Sequence, residues 1–293
     1  MHKILLTLTA LLIIAFKSYA ILPDTSSAKE ISILTYNIKM LPRGATFLHH
    51  HPVKRARLIP AKLIEANSDV IVFQEAFDGL AMHIIKKKMK AAYPYNAGWK
   101  NKLGFTFFRA GGVLMLSKYP IKALESITYK QGVGIDKIAR KGAMLVEVNH
   151  PAKKFQLLGT HMQAGGGKEL KLSQYKEAGE LLKRHTVQGV PQFASGDFNC
   201  KKDNPELYVP LVTSLECENG EICGELKYTS DHLLNDMDTY KPDKRHVIDY
   251  VFFKANGVQP TSQSRTVKRF QEQWDKKHKD LSDHFAVELK MTF

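Results

Sequence analysis

Six apolar runs along this chain each end in, or are broken by, a polar residue: ISILTYN (31–37), DVIVFQE (69–75), FQLLGTH (155–161), SGDFN (195–199), HVIDYVFF (246–253) and LSDHFAV (281–287). Runs so short and so rich in Val, Ile, Leu and Phe form strands, and several are apolar at consecutive positions, so they belong to sheets covered on both faces. Asn37, Glu75, His161, Asp197, Asn199, Asp249, Asp283 and His284 then fall at strand ends. Carboxylates, amides and imidazoles placed that way gather in one crevice. Singly, each has an ordinary explanation as a turn former or a half-buried histidine; the ordered set points to a site.

Between the runs the apolar spacing becomes helical. Residues 79–91 set Leu80, Ile84, Ile85 and Met89 on one side, and residues 168–186 do the same with Tyr175, Ala178, Leu181 and Leu182. Residues 53–67 also read as a helix, with Pro60 as a kink or its first turn. Further strands are expected at 111–118, 141–149 and 285–293, with no internal repeat and no low-complexity linker. Strands outnumber helices, which predicts a sheet core with helices outside. A chain of 293 residues with 44% apolar content suffices for one large α/β domain and argues against disorder.

The first 20 residues carry Lys3, an apolar run from Ile4 to Phe16, and the small residues Ser18 and Ala20. That is the pattern of a secretory signal peptide cut near Ala20, and it leaves 21–293 as the working domain, outside the cell or in the periplasm. The run is shorter than the ~20 residues a membrane span requires. Cys217 and Cys223 have a spacing that suits a small disulfide loop, but the spacing leaves their pairing open. Cys200 follows Asn199 without a partnering base, so packing is its expected role. The net charge is +14, two fewer once Lys3 and Lys17 leave, which suits an anionic surface as partner. Basic clusters at 86–88, 153–154, 201–202 and 276–279 lack the interleaved aromatics of a single-strand groove, and a solvated basic face accounts for them equally. His49, His50 and His51 are consecutive, which suits a loop better than a metal site.

In residue type and order the six runs resemble the motif set of the endonuclease/exonuclease/phosphatase superfamily of metal-dependent phosphoesterases, over nearly the whole chain after the leader. One TYN or SDH recurs by chance; six in the family's order do not. The resemblance implies an α/β fold of the deoxyribonuclease I-like kind, a four-layer sandwich of two mixed β-sheets flanked by helices. It also implies phosphodiester hydrolysis with a cation on hard oxygen ligands, which suit Mg²⁺, with Mn²⁺ or Co²⁺ as substitutes. Glu75 would supply the carboxylate and Asn37 an amide oxygen, with Asp283 contributing from the outer shell. His284 is the expected general base, since imidazole titrates near neutral pH and Asp249 can fix its tautomer. In the family's pattern Asp197 positions the water or assists proton transfer, while Asn199 and His161 hydrogen-bond the phosphate.

Within the superfamily, NIKMLPRG (37–44), QEAFD (74–78), GTHMQAG (159–165), GGVLMLSKYPI (111–121) and YTSD (228–231) resemble bacterial neutral sphingomyelinases, the sphingomyelinase C group. GIDKIARKGAMLVEV (134–148) adds Asp136 and Lys141, similar to an Asp–Lys pair those enzymes carry on a loop near the substrate. The resemblance implies a secreted, monomeric enzyme touching membranes peripherally and splitting sphingomyelin into ceramide and phosphocholine. A nuclease for DNA or RNA, favoured by the basic charge, and a phosphoinositide phosphatase remain open on the same residues. A binding module without catalysis would lack a ligand or base position, and all eight are present. One departure stands out: membrane-attacking relatives carry an apolar aromatic hairpin between the IDY and SDH motifs, whereas residues 254–280 here set Phe270 and Trp274 amid charges. Membrane contact is therefore expected to be electrostatic or to use Trp99, Phe105, Phe107 and Phe108.

Overall fold

The computed structural model describes residues 29–41, 50–98, 112–237 and 243–293. The expected leader, His49, Trp99, Phe105, Phe107 and Phe108 lie outside the described residues. The first half of the chain runs β1 (Glu30–Met40), α1 (Pro52–Ala66), β2 (Val70–Ala76), α2 (Gly79–Met89), β3 (Tyr95–Gly98), β4 (Leu114–Ser117), β5 (Ile121–Thr128), α3 (Gly134–Ile138) and β6 (Gly142–Val148). The second half runs β7 (Phe155–His161), α4 (Lys168–Arg184), β8 (Gln192–Asp197), α5 (Pro205–Leu215), β9 (Ile222–Cys223), β10 (Ser230–Asp231), β11 (Arg245–His246), β12 (Asp249–Lys254), β13 (Ser262–Lys268) and β14 (Ala286–Thr292).

Seven strands form one sheet in the order β3-β4-β2-β1-β14-β13-β9, and five form a second, β12-β8-β7-β6-β5. β1 pairs with β2 and β7 with β8 in parallel, while antiparallel pairs such as β1–β14 and β12–β8 flank them, so both sheets are mixed. Among the described residues apolar side chains fill three layers. Leu34, Tyr36, Phe73 and Ile85 pack between the larger sheet and α1 and α2; Ile33, Val72, Leu157, Phe193 and Val251 pack between the sheets; Leu145, Tyr175, Leu182 and Phe252 pack under α4 and α5. The result is the expected four-layer sandwich.

Local sequence explains most element ends. α1 starts at Pro52, where a missing N–H costs nothing, and stops at Asn67 in the left-handed region at φ 59°. Pro60 lies inside this helix and is not its first turn, a correction to the sequence reading. On α2 the buried stripe is Ala81, Met82, Ile85 and Met89, and Leu80 stays 42% exposed, because a helix face takes positions three and four apart and Leu80 falls outside that set. The SDH segment precedes β14 rather than extending it. Cys200, Cys217 and Cys223 are free thiols. Trp274 is buried, stacks on His278 and donates its indole N–H to the Asp280 carbonyl at 2.7 Å, while Phe270 meets the Tyr36 ring edge at 5.4 Å. The two aromatics of residues 254–280 thus serve the core. No helix among the described residues is long and apolar enough to cross a membrane.

Candidate active site

Strand periodicity builds the crevice. Along the inter-sheet face, period two carries β1 from Ile33 through Thr35 to Asn37, β7 from Leu157 through Gly159 to His161, and β8 from Phe193 through Ser195 to Asp197. The layer between the sheets therefore changes from large apolar to small to polar as it nears one rim. Register makes the rim common to both sheets: Asn37 pairs with Gln74, His161 with Asp197, and Asp197 with Asp249.

Glu75 falls out of step with this alternation and reaches the crevice through a backbone turn, with φ at 55°. Gly112 packs against that turn, where a Cβ would lie 2.7 Å from the Ala76 nitrogen and 2.9 Å from the Glu75 Cα, so no larger residue fits. Lys39 and Asn199 also take positive φ, 45° and 48°. Left-handed backbone at non-glycine residues costs on the order of 1 kcal/mol each.

The Asn37 amide nitrogen bridges Glu75 Oε1 at 3.3 Å and Asp197 Oδ2 at 3.1 Å, while its Oδ1 accepts from the Lys39 N–H at 3.1 Å. Lys39 Nζ pairs with Asp283 Oδ2 at 2.6 Å. Ser282 Oγ donates to the Asn37 carbonyl at 2.6 Å, tying the SDH segment to the end of β1. Asn199 donates its backbone N–H to Asp197 Oδ1 at 2.9 Å and its amide to the Met162 carbonyl at 3.0 Å. His284 Nδ1 lies 2.9 Å from Asp249 Oδ2, so its Nε2 is the nitrogen left for chemistry. Asp249 is itself steadied by its backbone N–H donating to Thr229 Oγ1 at 3.2 Å.

Asp136 and Lys141 join the same crevice. Lys141 is buried, and its Nζ meets Asp136 Oδ1 at 3.0 Å, the Met162 carbonyl at 2.8 Å and His161 Nε2 at 2.9 Å. An ammonium only donates, so His161 Nε2 is the acceptor in that contact. Asp136 Oδ2 accepts from Gln163 Nε2 at 2.8 Å and the Ala164 N–H at 2.9 Å, which fixes the α3 loop against the segment after β7.

Electrostatics show what the crevice lacks. Burial, with the Asp283 charge adding to it, raises the Glu75 carboxyl above its ordinary value. Burial and the neighbouring Asp249 push Asp197 up to about 7. Burial opposes charging His284, but Asp249, followed by Asp283 and Asp197, outweighs it and raises the imidazole well above its usual value. Burial would raise Asp283 too, yet Lys39 overrides it and holds this carboxyl below the usual range. Two carboxyls held toward the protonated form are relieved by added positive charge. Asp197, Asp249 and His284 bring ligand atoms within 4.8 Å of one another, and Asp249 Oδ1 is buried without a hydrogen-bond partner. An oxygen-rich donor set short of positive charge fits a hard divalent cation.

Sequence reading missed two residues that shape the rim. Lys39 stands two positions after Asn37, and a register shift between Asn37 and Met40 turns it toward Asp283. Arg55 is fully buried on α1, and its guanidinium donates to the carbonyls of His50 at 2.7 Å, Ile38 at 2.7 Å, Lys39 at 2.6 Å and Leu281 at 2.8 Å. It thereby clamps the end of β1 to the segment that leads into Ser282, Asp283 and His284. An arginine on the apolar stripe with Ala56, Ile59 and Leu63 was the available signal. Arg55→Met leaves those carbonyls unpaired and is expected to cost about 3 kcal/mol, read as a lowered denaturant midpoint.

Two mixed sheets whose rim gathers carboxylates, amides and imidazoles offer ligands for a hard cation and groups for proton transfer. The model of the Endonuclease/Exonuclease/phosphatase family matches residues 34–284, and the chain belongs to that family. Among characterised proteins it is similar to a phospholipase C of Staphylococcus aureus, 27% identical over 289 residues that cover 88% of this chain and 86% of that one. It is similar also to a sphingomyelinase C of Leptospira interrogans, 29% identical over 252 residues, covering 78% of this chain and 45% of the longer relative. A crystal structure of a Staphylococcus aureus beta toxin variant with bound magnesium ions superposes with a TM-score of 0.76 at 25% identity, over 89% of this chain and 99% of that one.

Proposed function

We propose that this protein is a Mg²⁺-dependent phosphodiesterase that hydrolyses sphingomyelin at membrane surfaces, releasing phosphocholine and leaving ceramide. The observation that carries the reading is the cluster of buried Lys141 and His161 with half-buried Asp136, joined to the Glu75, Asp197, Asp249 and His284 rim. Phosphoester cleavage alone does not call for the Asp136–Lys141 pair. The names and the bound magnesium of the similar proteins support the same assignment.

Glu75 would be the principal ligand for the cation, with Asn37 and Asp283 as the further groups that would hold it. When bound, Mg²⁺ supplies charge to the phosphoryl oxygens and to the leaving oxygen. The cation's charge would offset the carboxylates that hold His284 protonated, so that Nε2 takes a proton from the attacking water while Asp249 holds the ring and balances the imidazolium. The new P–O bond forms as the bond to the ceramide oxygen breaks; that oxygen takes a proton from solvent, and the His284 imidazolium returns its proton to solvent. Lys141 grips the phosphate, Asp136 aims Lys141, and His161, Asp197 and Asn199 order the water and the phosphate oxygens. Residues 1–20 direct export and are removed near Ala20, and the released monomer meets membranes peripherally.

A substrate panel at fixed Mg²⁺ tests the reading: sphingomyelin, phosphatidylcholine, lysolipid and phosphoinositide vesicles, and plasmid DNA. Phosphocholine is expected from sphingomyelin with Mg²⁺ and not in EDTA, and no release with any divalent metal overturns the assignment. The +14 charge favours a nuclease as the second reading, which predicts plasmid nicking with a steep salt dependence instead.

Asp136→Ala and Lys141→Ala separate headgroup recognition from general chemistry. Lys141 is buried, so this is no exposed pair contributing ~0–1 kcal/mol. Each variant is expected to lose at least about 100-fold on sphingomyelin, as loss of a buried charge contact implies. A loss confined to sphingomyelin, with a small soluble phosphodiester spared, would assign the pair to the headgroup, and an equal loss on both would assign Lys141 to the phosphate alone. Rates near wild type on both substrates would remove Asp136 and Lys141 from substrate recognition.

A further inference from the structure

We propose a second, non-catalytic ligand site on the outer face of the seven-stranded sheet, built to hold an organic phosphate with an apolar body. A cleft of about 430 Å³ lies there between α2 and the β3–β4 pair. That volume falls within the range of small-molecule sites. It is remote from the crevice: β2 runs from Val70 to Glu75 at the rim, α2 turns back from Gly79, and Lys90 and Leu116 lie toward the opposite end, where Leu116 pairs with Ile71.

The cleft has two chemically distinct parts. Lys86, Lys87 and Lys90 supply its cationic wall, His83 lies beside them, and none of its lining residues is acidic. Its floor is apolar and includes Met82, Tyr93 and Leu116, each no more than 3% exposed. The Tyr93 hydroxyl donates to the Ser68 carbonyl at 2.8 Å, so its polar end is already satisfied.

The pairing of lysines elsewhere sharpens the contrast. Lys62, Lys118, Lys154, Lys168 and Lys254 each meet a carboxylate. Among the described residues no carboxylate pairs with Lys87 or Lys90. Basic residues in the last turn of α2 suit the helix dipole, which accounts for positive charge at that end. The dipole does not account for a cleft with an apolar floor under the lysines. Like charges gathered at one wall repel, and a phosphoryl dianion relieves that repulsion while its organic body covers the floor.

Calorimetric titration of the mature protein in EDTA with phenyl phosphate tests this, with inorganic phosphate and phenol as separate arms. Removing divalent metal keeps crevice binding out of the signal, and the proposal does not depend on which diester the crevice cleaves. The expected result is one saturable site for phenyl phosphate, weaker binding of inorganic phosphate and none of phenol. Lys87→Gln combined with Lys90→Gln should weaken phenyl phosphate at least about tenfold, since each charge-assisted contact is worth roughly that factor. The same double variant should keep its diester hydrolysis, and His284→Ala should bind phenyl phosphate as wild type does. No saturable binding, or binding indifferent to the double substitution, overturns the site. Equal affinity for phenyl and inorganic phosphate overturns the role given to the floor.

Discussion

His284→Ala is expected to lower kcat by at least the ~10²- to 10⁴-fold that general-base loss costs, with KM comparatively unchanged. The expectation rests on one contact: Asp249 Oδ2 sits 2.9 Å from Nδ1, which leaves Nε2 facing the crevice. Asp249→Asn should act in the same direction but less severely, since it removes the partner that fixes the tautomer while the imidazole stays in place. A steady-state comparison on the diester the wild type turns over fastest reads both variants. A change confined to KM in His284→Ala would make this residue a binding group instead.

Glu75→Gln should abolish turnover at ordinary Mg²⁺ while the circular dichroism stays native, because a carboxamide keeps the shape but loses the anionic ligand. Its effect on stability carries a sign that a passive surface residue would not show. Glu75, Asp197 and His284 all sit above their ordinary values in the folded protein. A group raised by folding adds stability below its unfolded value and loses it as pH climbs through its folded value. For Asp197 that window opens at its ordinary 3.8 and runs to about 7. Asp283 is lowered, so its contribution is present above 3.8 and is lost only below it, outside the window. The thermal midpoint in EDTA should therefore fall as pH rises from about 4 to above 7, and added Mg²⁺ should restore it most at the alkaline end. Glu75→Gln removes one of the groups that must ionise, so its fall in EDTA should be shallower and its response to Mg²⁺ small. Near wild-type turnover in this variant would dismiss Glu75 as the metal ligand.

The strands were legible because burial leaves a mark in composition. Val70 to Phe73 is apolar on both faces, and Ile31 to Tyr36 and Phe155 to Leu158 place apolar residues on both faces with only Ser32, Thr35 and Gln156 among them, as strands of a covered sheet do. Helix faces were nearly as clear, and Leu80 was misplaced because a short amphipathic helix leaves its boundary positions ambiguous. The pairing of Cys217 with Cys223 was beyond the sequence, since spacing does not say whether two sulfurs face each other; in the fold one thiol is buried and the other lies exposed on β9.

By itself the sequence determined the family, the order of the strands and the list of polar residues at their ends, because all three are properties of local pattern read along the chain. Only the tertiary structure decided how those residues meet. Asn37 and Asp197 are 160 positions apart, yet the Asn37 amide donates to Asp197 Oδ2 at 3.1 Å, a consequence of register between strands of two packed sheets. Lys39 turns toward Asp283 because the β1 ladder shifts, and Arg55 binds carbonyls at both ends of the chain because α1 is pressed against them. Those contacts depend on backbone groups and on desolvation, and apart from the place of Arg55 on an apolar helix stripe neither leaves a residue type in the sequence to be read.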